Sequence, residues 1–301
     1  MSPADHLAAL PEELITGLGV HRATPVSGGD IARAYRLDTS DGPLFAKTHP
    51  SPSPGLFERE AQGLRALRGQ ADASPDPTEA LRVPEVLRAS ATGLVLEWVD
   101  VGGRPDSRTE AALGASLAHL HAAGKRLGHT TFGGLAGASH GYLGSVPVDL
   151  TPTTDWPDFY LHRRLRPLVT AAIEGGRLDP AASGILTDLE PRAAELCGPL
   201  TAPALLHGDL WGGNRLLDTA GTNWLIDPAC FWGHPEVDLA MMDLFGGFGT
   251  ECLAAYQEVS PLADGWRDRV AWYQLAPLLV HAILFGGGYG AAAMRALTRY
   301  R

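Results

Sequence analysis

The sequence predicts an α+β fold with two lobes, a small β-rich N-terminal lobe and a larger, mainly helical C-terminal lobe. Between residues 20 and 99, short runs of β-forming residues alternate with turn residues. After Asp100-Val101-Gly102-Gly103 the apolar residues recur mostly at helical spacing. A chain of 301 residues is long enough for two such units. We therefore expect an N-terminal lobe at 1–97, a connecting segment at about 97–103 and a C-terminal lobe at 104–301.

Five strands and one helix are predicted in the first lobe. Strands at 21–26, 32–37 and 44–48 are separated by turns rich in Gly, Ser and Asp. A helix then carries an inward face in which every residue but one is apolar. That face consists of Leu56, Phe57, Glu60, Leu64 and Leu67. After a loop at 70–80, two further strands are predicted at 83–89 and 94–99. This order is that of a kinase N-terminal lobe.

Helices dominate the predicted second lobe. Asp155 before Trp156-Pro157 is an expected N-terminal cap for one of them. Residues 125–154 show no periodicity and are predicted to be loop, and 204–228 are predicted to be short strands and loops. Helices are predicted at 108–123, 155–174, 181–197, 235–245, 251–259 and 266–285.

Composition restricts the class of protein and its partners. A hydrophobic content of 45% and a charged content of 19% are typical of a globular protein. The net charge of −10 argues against nucleic acid as a partner. The chain begins without the basic and apolar segments of a signal peptide, and the apolar tract at 275–285 is too short to span a bilayer. Since the three cysteines form no C-x-x-C pair, neither a disulfide framework nor a zinc site is expected. Together these features predict a cytoplasmic protein without membrane association. We also expect a monomer.

The motif HGDLWGGN at 207–214, followed by Ile226-Asp227-Pro228, provides the side chains that phosphoryl transfer requires. The spacing of Asp209 and Asn214 is that of the kinase catalytic loop, D-x-x-x-x-N. We predict that Asp209 is the catalytic base and that Asn214 and Asp227 bind Mg²⁺. Oxygen ligands shared with phosphates suit this ion. The sequence thus predicts a kinase that uses ATP and Mg²⁺, with a protein-kinase-like fold.

The nucleotide side of this site is predicted from the first lobe. Lys47 ends a short apolar strand, and a compact ammonium suits contact with the α- and β-phosphates. Glu60 is its expected partner, rather than Glu58, because Glu60 shares the inward face of the helix. The backbone of the Glu97-Trp98-Val99 segment is expected to contact adenine. Gly28 and Gly29, in an SGGD turn, are candidates for covering the phosphates.

Two further residues are predicted to support the catalytic loop. His207 is expected to bond backbone carbonyls behind the loop, and Asp238, in the first turn of a helix, is expected to support the loop from below. The pair His119 and His121 has the H-x-H pattern of some metal sites. On a helix, however, side chains two residues apart point to different sides, so shared metal binding is not expected.

Taken together, these motifs resemble those of the fructosamine kinase (ketosamine-3-kinase) family, which is similar to aminoglycoside and choline kinases. The resemblance implies a two-lobed protein-kinase-like fold and ATP-dependent phosphorylation of the 3-hydroxyl of a ketosamine on lysine or protein. It also implies a product that releases the amine, and hence deglycation. The stretches that carry it are RAYRLDTSDGPLFAK (33–47), LFEREAQGLRAL (56–67), DWPDFYLHRRL (155–165), LLHGDLWGGN (205–214) and IDPACFWGHPEVDLAMMDLFGGF (226–248).

Two alternatives remain at this stage. The same fold could phosphorylate a small alcohol of the aminoglycoside or choline type. The chain could also be a nucleotide-binding pseudokinase, although the complete set of Lys47, Asp209, Asn214 and Asp227 argues against that.

Overall fold

The computed structural model describes residues 6–7, 9–26, 32–73 and 81–301. It has a sheet-rich N-terminal part and a mainly helical C-terminal part, as predicted. The strands are β1 (Val20–Val26), β2 (Arg33–Thr39), β3 (Gly42–Thr48), β4 (Leu81–Arg82), β5 (Val86–Ser90), β6 (Gly93–Glu97), β7 (His140–Leu143), β8 (Val146–Asp149), β9 (Ala204–Leu206), β10 (Arg215–Leu217), β11 (Asn223–Leu225) and β12 (Phe231–Gly233).

The helices follow the same division, with most of the helical residues after 106. They are α1 (Glu12–Ile15), α2 (Leu56–Asp72), α3 (Ser107–His121), α4 (Ala123–Arg126), α5 (Trp156–Asp158), α6 (Arg166–Glu174), α7 (Ala181–Leu189), α8 (Ala193–Cys197), α9 (Glu236–Phe245), α10 (Thr250–Val259), α11 (Trp266–Tyr273), α12 (Leu275–Phe285) and α13 (Tyr289–Thr298). A π-helical segment, Phe159–Leu165, joins α5 to α6.

The N-terminal sheet contains the five predicted strands. Its order is β1-β2-β3-β6-β5, and every neighbouring pair is antiparallel. Helix α2 packs against it through Phe57, Ala61, Leu64 and Leu67, all fully buried. The apolar periodicity of the sequence therefore gives the correct inward face, and Glu60 lies beside it.

The two parts of the chain share one hydrophobic cluster. Leu64 of α2 and Leu96 of β6 pack in the same cluster as Leu117 of α3 and Leu225 of β11. In addition, β4 pairs in parallel with β11, so residues 81–82 join a sheet of the C-terminal part. A division of the chain near residues 97–103 stays a prediction.

A second cluster forms the core of the C-terminal part around the π-helical segment. Tyr160 donates hydrogen bonds to the backbone carbonyls of Trp272 and Tyr273, at 3.1 and 3.0 Å. The carbonyl of Tyr273 is available because Pro277, four residues later, has no N–H to donate to it. Asp155 caps α5 as predicted, since its carboxylate accepts a hydrogen bond from the amide of Asp158 at 3.2 Å.

Four local predictions were wrong or incomplete. The predicted loop at 125–154 contains the hairpin of β7 and β8. The helix predicted at 181–197 is interrupted by a 3₁₀ turn, Glu190–Arg192, which contains Pro191. The helix predicted at 266–285 is divided between α11 and α12. Helix α13 lies after the last predicted helix and was not predicted. Within the described ranges, no helix is long and apolar enough to cross a membrane.

Candidate active site

A cavity of about 1090 Å³ lies between the N-terminal sheet and the C-terminal part. The N-terminal part lines it with β3, α2 and β6. The C-terminal part lines it with the segments around Asp209, Asn214 and Asp227. The residues predicted from the two halves of the sequence thus face one space.

Lys47 connects the two sides of this cavity. Its ammonium nitrogen lies 3.1 Å from both carboxylate oxygens of Glu60 and 3.1 Å from Oδ1 of Asp227. Glu58, the other candidate partner, is exposed on the opposite face of α2. The strand end, the helix and the Asp-Pro segment therefore meet at one buried cation.

Burial and the neighbouring charges shift the pKa values of both Lys47 and Glu60. Burial raises the pKa of Glu60 to about 7, although the charge of Lys47 acts in the opposite direction. Burial acts to lower the pKa of Lys47, but the carboxylates of Glu60 and Asp227 outweigh it and the pKa of Lys47 is raised. Lys47 is therefore held as a cation at neutral pH.

Asp209 and Asn214 are also in direct contact. The side-chain amide of Asn214 donates hydrogen bonds to the backbone carbonyl of Asp209 at 2.8 Å and to its Oδ2 at 3.3 Å. Burial and the charge of Asp227 raise the pKa of Asp209 to about 7, against the effect of the Asn214 hydrogen bond. Asp227 itself has a left-handed φ of 53°, a strained conformation that is concentrated at functional sites.

Asp238 stabilises the loop that carries Asp209. Its carboxylate accepts hydrogen bonds from the backbone amides of His207 and Gly208, both at 2.8 Å. The His207 ring in turn lies 2.9 Å from the carbonyl oxygen of Ile226. Gly208 has a φ of +80°, and a Cβ there would lie 2.2 Å from the carbonyl oxygen of Ala229. The loop conformation is therefore specified by buried contacts on several sides.

His121 was considered from sequence only as half of an H-x-H pair, and the structure gives it a different place. Its Nε2 lies 3.2 Å from Oδ2 of Asp238, and its Nδ1 lies 2.9 Å from the hydroxyl of Tyr256. Burial acts to raise the pKa of Asp238, but the hydrogen bond and charge of His121 outweigh it, and the pKa is lowered. His121 could be recognised only with the fold in hand, because Asp238 is 117 residues away.

The segment between the two parts, Glu97 to Val99, lines the cavity, and its backbone contact with adenine stays a prediction. The side chain of Glu97 accepts hydrogen bonds from Arg68 at 2.9 Å and from the amide of Glu85 at 3.1 Å. The indole of Trp98 donates to Asp100 at 2.9 Å. Arg68 was not singled out from the sequence, although it lies on α2 two turns after Glu60. The predicted phosphate-covering residues Gly28 and Gly29 lie outside the described residues.

The oxygen donors in this part of the cavity fit a hard divalent cation that is also coordinated by a phosphate. Asn214 and Asp227 offer oxygen atoms on one side of the cavity, beside Asp209. Among the described residues, no group of three or more His, Cys, Asp or Glu side chains could hold a metal alone. Mg²⁺ prefers few protein ligands together with water and phosphate oxygens.

Part of the cavity wall is aromatic, and no local sequence pattern indicated it. Trp211 contacts Phe245 edge-to-face, with ring centroids 6.3 Å apart. His281 lies 4.6 Å from Phe245 and 5.1 Å from Tyr289, again between centroids. These residues come from the catalytic loop and from three separate helical regions, so only the fold brings them together.

Comparison with known proteins identifies the family. The fructosamine kinase family model matches residues 4–301. A protein named as a ketoamine kinase, from Lactiplantibacillus plantarum, is 36% identical over 287 residues, covering 93% of this chain and 95% of the relative. The chloroplastic protein-ribulosamine 3-kinase of Arabidopsis thaliana is 33% identical over 283 residues, covering 91% and 81%.

A solved structure shows the same fold. The crystal structure described as a fructosamine-3-kinase from Thermobifida fusca superposes with a TM-score of 0.82 at 36% identity, and the match covers 96% of each chain. Family model, relatives and structure all extend over nearly the full length. The chain belongs to the fructosamine kinase family.

Proposed function

We propose that this protein is an ATP-dependent ketosamine kinase that phosphorylates the 3-hydroxyl of sugar adducts, of the ribulosamine or fructosamine type, on lysine or protein. The contact of Lys47 with both Glu60 and Asp227, opposite the Asp209–Asn214 pair, is the observation that carries it. Family membership and relatives named as ketoamine and ribulosamine kinases support the choice of acceptor.

Each residue then has one task in the transfer. Lys47, oriented by Glu60, contacts the nucleotide phosphates, and the 97–99 backbone contacts adenine. Asp209 orients the sugar hydroxyl and accepts its proton while the oxygen bonds to the γ-phosphorus and ADP leaves. Asn214 and Asp227 would hold Mg²⁺, which neutralises charge on the phosphate oxygens.

The supporting residues act without touching either substrate. Asp238 holds the backbone of His207 and Gly208, and His121 orients Asp238. Buried hydrogen bonds to the backbone of the two residues before Asp209 therefore help to fix the position of Asp209. Preorganisation of this kind lets the base meet the hydroxyl without a costly rearrangement.

The test is an acceptor panel with ATP and Mg²⁺. Lysine peptides carrying ribulose or fructose adducts should gain one phosphoryl group by mass spectrometry, with equal formation of ADP, while the unmodified peptide should not react. Aminoglycosides and choline complete the panel. Phosphorylation of one of those alcohols without any reaction on the ketosamines would instead support the small-alcohol alternative. ATP binding without turnover on any compound would support a pseudokinase.

A further inference from the structure

Arg164 is a buried cation in the wall of the cavity that the phosphoryl-transfer chemistry does not use. It lies in the π-helical segment Phe159–Leu165 and is 5% exposed. The cavity wall also includes Leu143, Val148 and Phe231 beside it. π-Helical turns inside helices are uncommon and occur frequently at functional sites.

The guanidinium of Arg164 packs on aromatic rings and has no polar partner in the part of the chain that the structure describes. It lies 4.7 Å from the ring centroid of Phe231 and 5.7 Å from that of Phe159. No hydrogen bond or ion pair of Arg164 occurs among the described residues. Its five N–H donors are therefore left for the cavity.

The neighbouring arginines of the same helical run are paired. Arg163 lies 3.5 Å from a carboxylate oxygen of Asp149, and Arg166 is paired with Glu190. Burial lowers the pKa of Arg164 to about 10, and the opposing attractions of Tyr160 and Asp149 are smaller. Arg164 thus remains charged at neutral pH without a compensating contact.

We propose that Arg164 binds an oxyanion carried by the acceptor. This rests on the proposed function and names a feature of its substrate. A carboxylate or a phosphate matches the planar fork of a guanidinium with two oxygens and neutralises its charge, whereas a neutral hydroxyl offers one oxygen and leaves the charge uncompensated. Phe159 and Phe231 hold the plane of the guanidinium, so the fork is preorganised.

Two sources provide the same chemistry. The oxyanion is either a phosphate on the sugar, as in an adduct formed from a pentose 5-phosphate, or the α-carboxylate of a free glycated amino acid. Two matched pairs of acceptors distinguish them. One pair compares ribose with ribose 5-phosphate adducts on Nα-acetyl-lysine amide, and the other compares the ribose adduct of Nα-acetyl-lysine with that of its amide.

The experiment measures kcat/KM for these acceptors with the wild type, R164Q and R164K. The wild type should prefer the anionic member of one pair by at least ~10-fold, the scale of a charge-assisted hydrogen bond. R164Q should abolish that preference and leave the KM for ATP unchanged, and R164K should retain part of it. R166Q is the matched control, because Arg166 lies two residues later, at the start of α6, and does not line the cavity. R166Q should behave as the wild type.

Three results would overturn the inference. The first is an equal kcat/KM for both members of each pair in the wild type. The second is a preference for the anionic acceptor that survives in R164Q. The third is a loss of kcat/KM in R164Q that has the same size for neutral and anionic acceptors. If no ketosamine is phosphorylated at all, the proposed function fails first. Calorimetric titration of the wild type and R164Q with the same compounds then decides whether Arg164 binds the oxyanion. Wild-type selectivity remains informative even if R164Q does not fold.

Discussion

The ammonium of Lys47 lies 3.1 Å from a carboxylate oxygen of Asp227. The end of strand β3 in the N-terminal sheet therefore meets the C-terminal side of the cavity. Side-chain exposure is 15% for Lys47 and 32% for Asp227. The contact lies between the two groups that are expected to face the nucleotide phosphates.

Replacing Lys47 tests this contact. Lys47→Ala should raise the KM for ATP by at least ~10-fold, because a partly desolvated charge-assisted contact to phosphate is lost. The chain has one other lysine, Lys125, which is exposed and provides a matched control. Steady-state kinetics of K47A and K125A with varied ATP give the measurement. Equal KM values in the two variants would contradict the assignment.

Asp209→Asn should lower kcat by at least ~10²-fold while the protein still folds and binds ATP, since a positioned base contributes on this scale. The isosteric amide retains an oxygen for the Asn214 hydrogen bond. Asp188→Asn, at an exposed position of α7, is the control. Turnover and an ATP-dependent shift in Tm are to be measured together. Normal turnover in D209N would move the base to another residue.

Asp238→Ala should destabilise the fold by about 3–5 kcal/mol, because the amides of His207 and Gly208 and the His121 ring lose a buried acceptor. Asp243→Ala lies on the same helix but is exposed, and it should cost about 1 kcal/mol or less. Urea unfolding of both variants checks the difference. Similar losses in the two would mean that Asp238 does not hold the loop.

The stability of the protein should depend on pH through His234. This ring is buried between Trp156 and Tyr273, with centroids at 6.1 and 5.4 Å, and burial lowers its pKa to about 3. The unfolded chain binds a proton near pH 6.5, whereas the folded protein does not until about pH 3. The contribution is thus fully present above pH 6.5 and is lost as the pH falls, by about 2 kcal/mol at pH 5.

His234→Asn removes this titration. The loss of unfolding free energy between pH 7 and 5 should be smaller in H234N than in the wild type by about 2 kcal/mol, whatever the absolute stability of the variant. His21→Asn, at an exposed position, should keep the wild-type dependence. Chemical unfolding at a series of pH values provides the data. Parallel profiles for H234N and the wild type would rule out His234 as the source.

Local sequence patterns were sufficient for most of the fold. The alternation of β-forming runs and turns predicted the five-stranded sheet, and the period of apolar residues predicted the inward face of α2 with Glu60 beside it. The hairpin at 140–149 was missed because each of its strands is only four residues long and the second strand contains Pro147. The break between α11 and α12 was missed although Pro277, a local signal, lies close behind it; Tyr160, more than 100 positions away, donates to the carbonyls of Trp272 and Tyr273 at the break.

By itself the sequence determined which side chains are proposed to carry the chemistry, because the spacing from Asp209 to Asn214 and the Asp227-Pro228 step are local features of the chain. Only the tertiary structure decided which residues support or extend that chemistry. Arg68, His121 and Arg164 carry no local signature. Their roles follow from burial and from partners distant in sequence, and the cost of burying a charge or polar group is set by its surroundings in the folded protein.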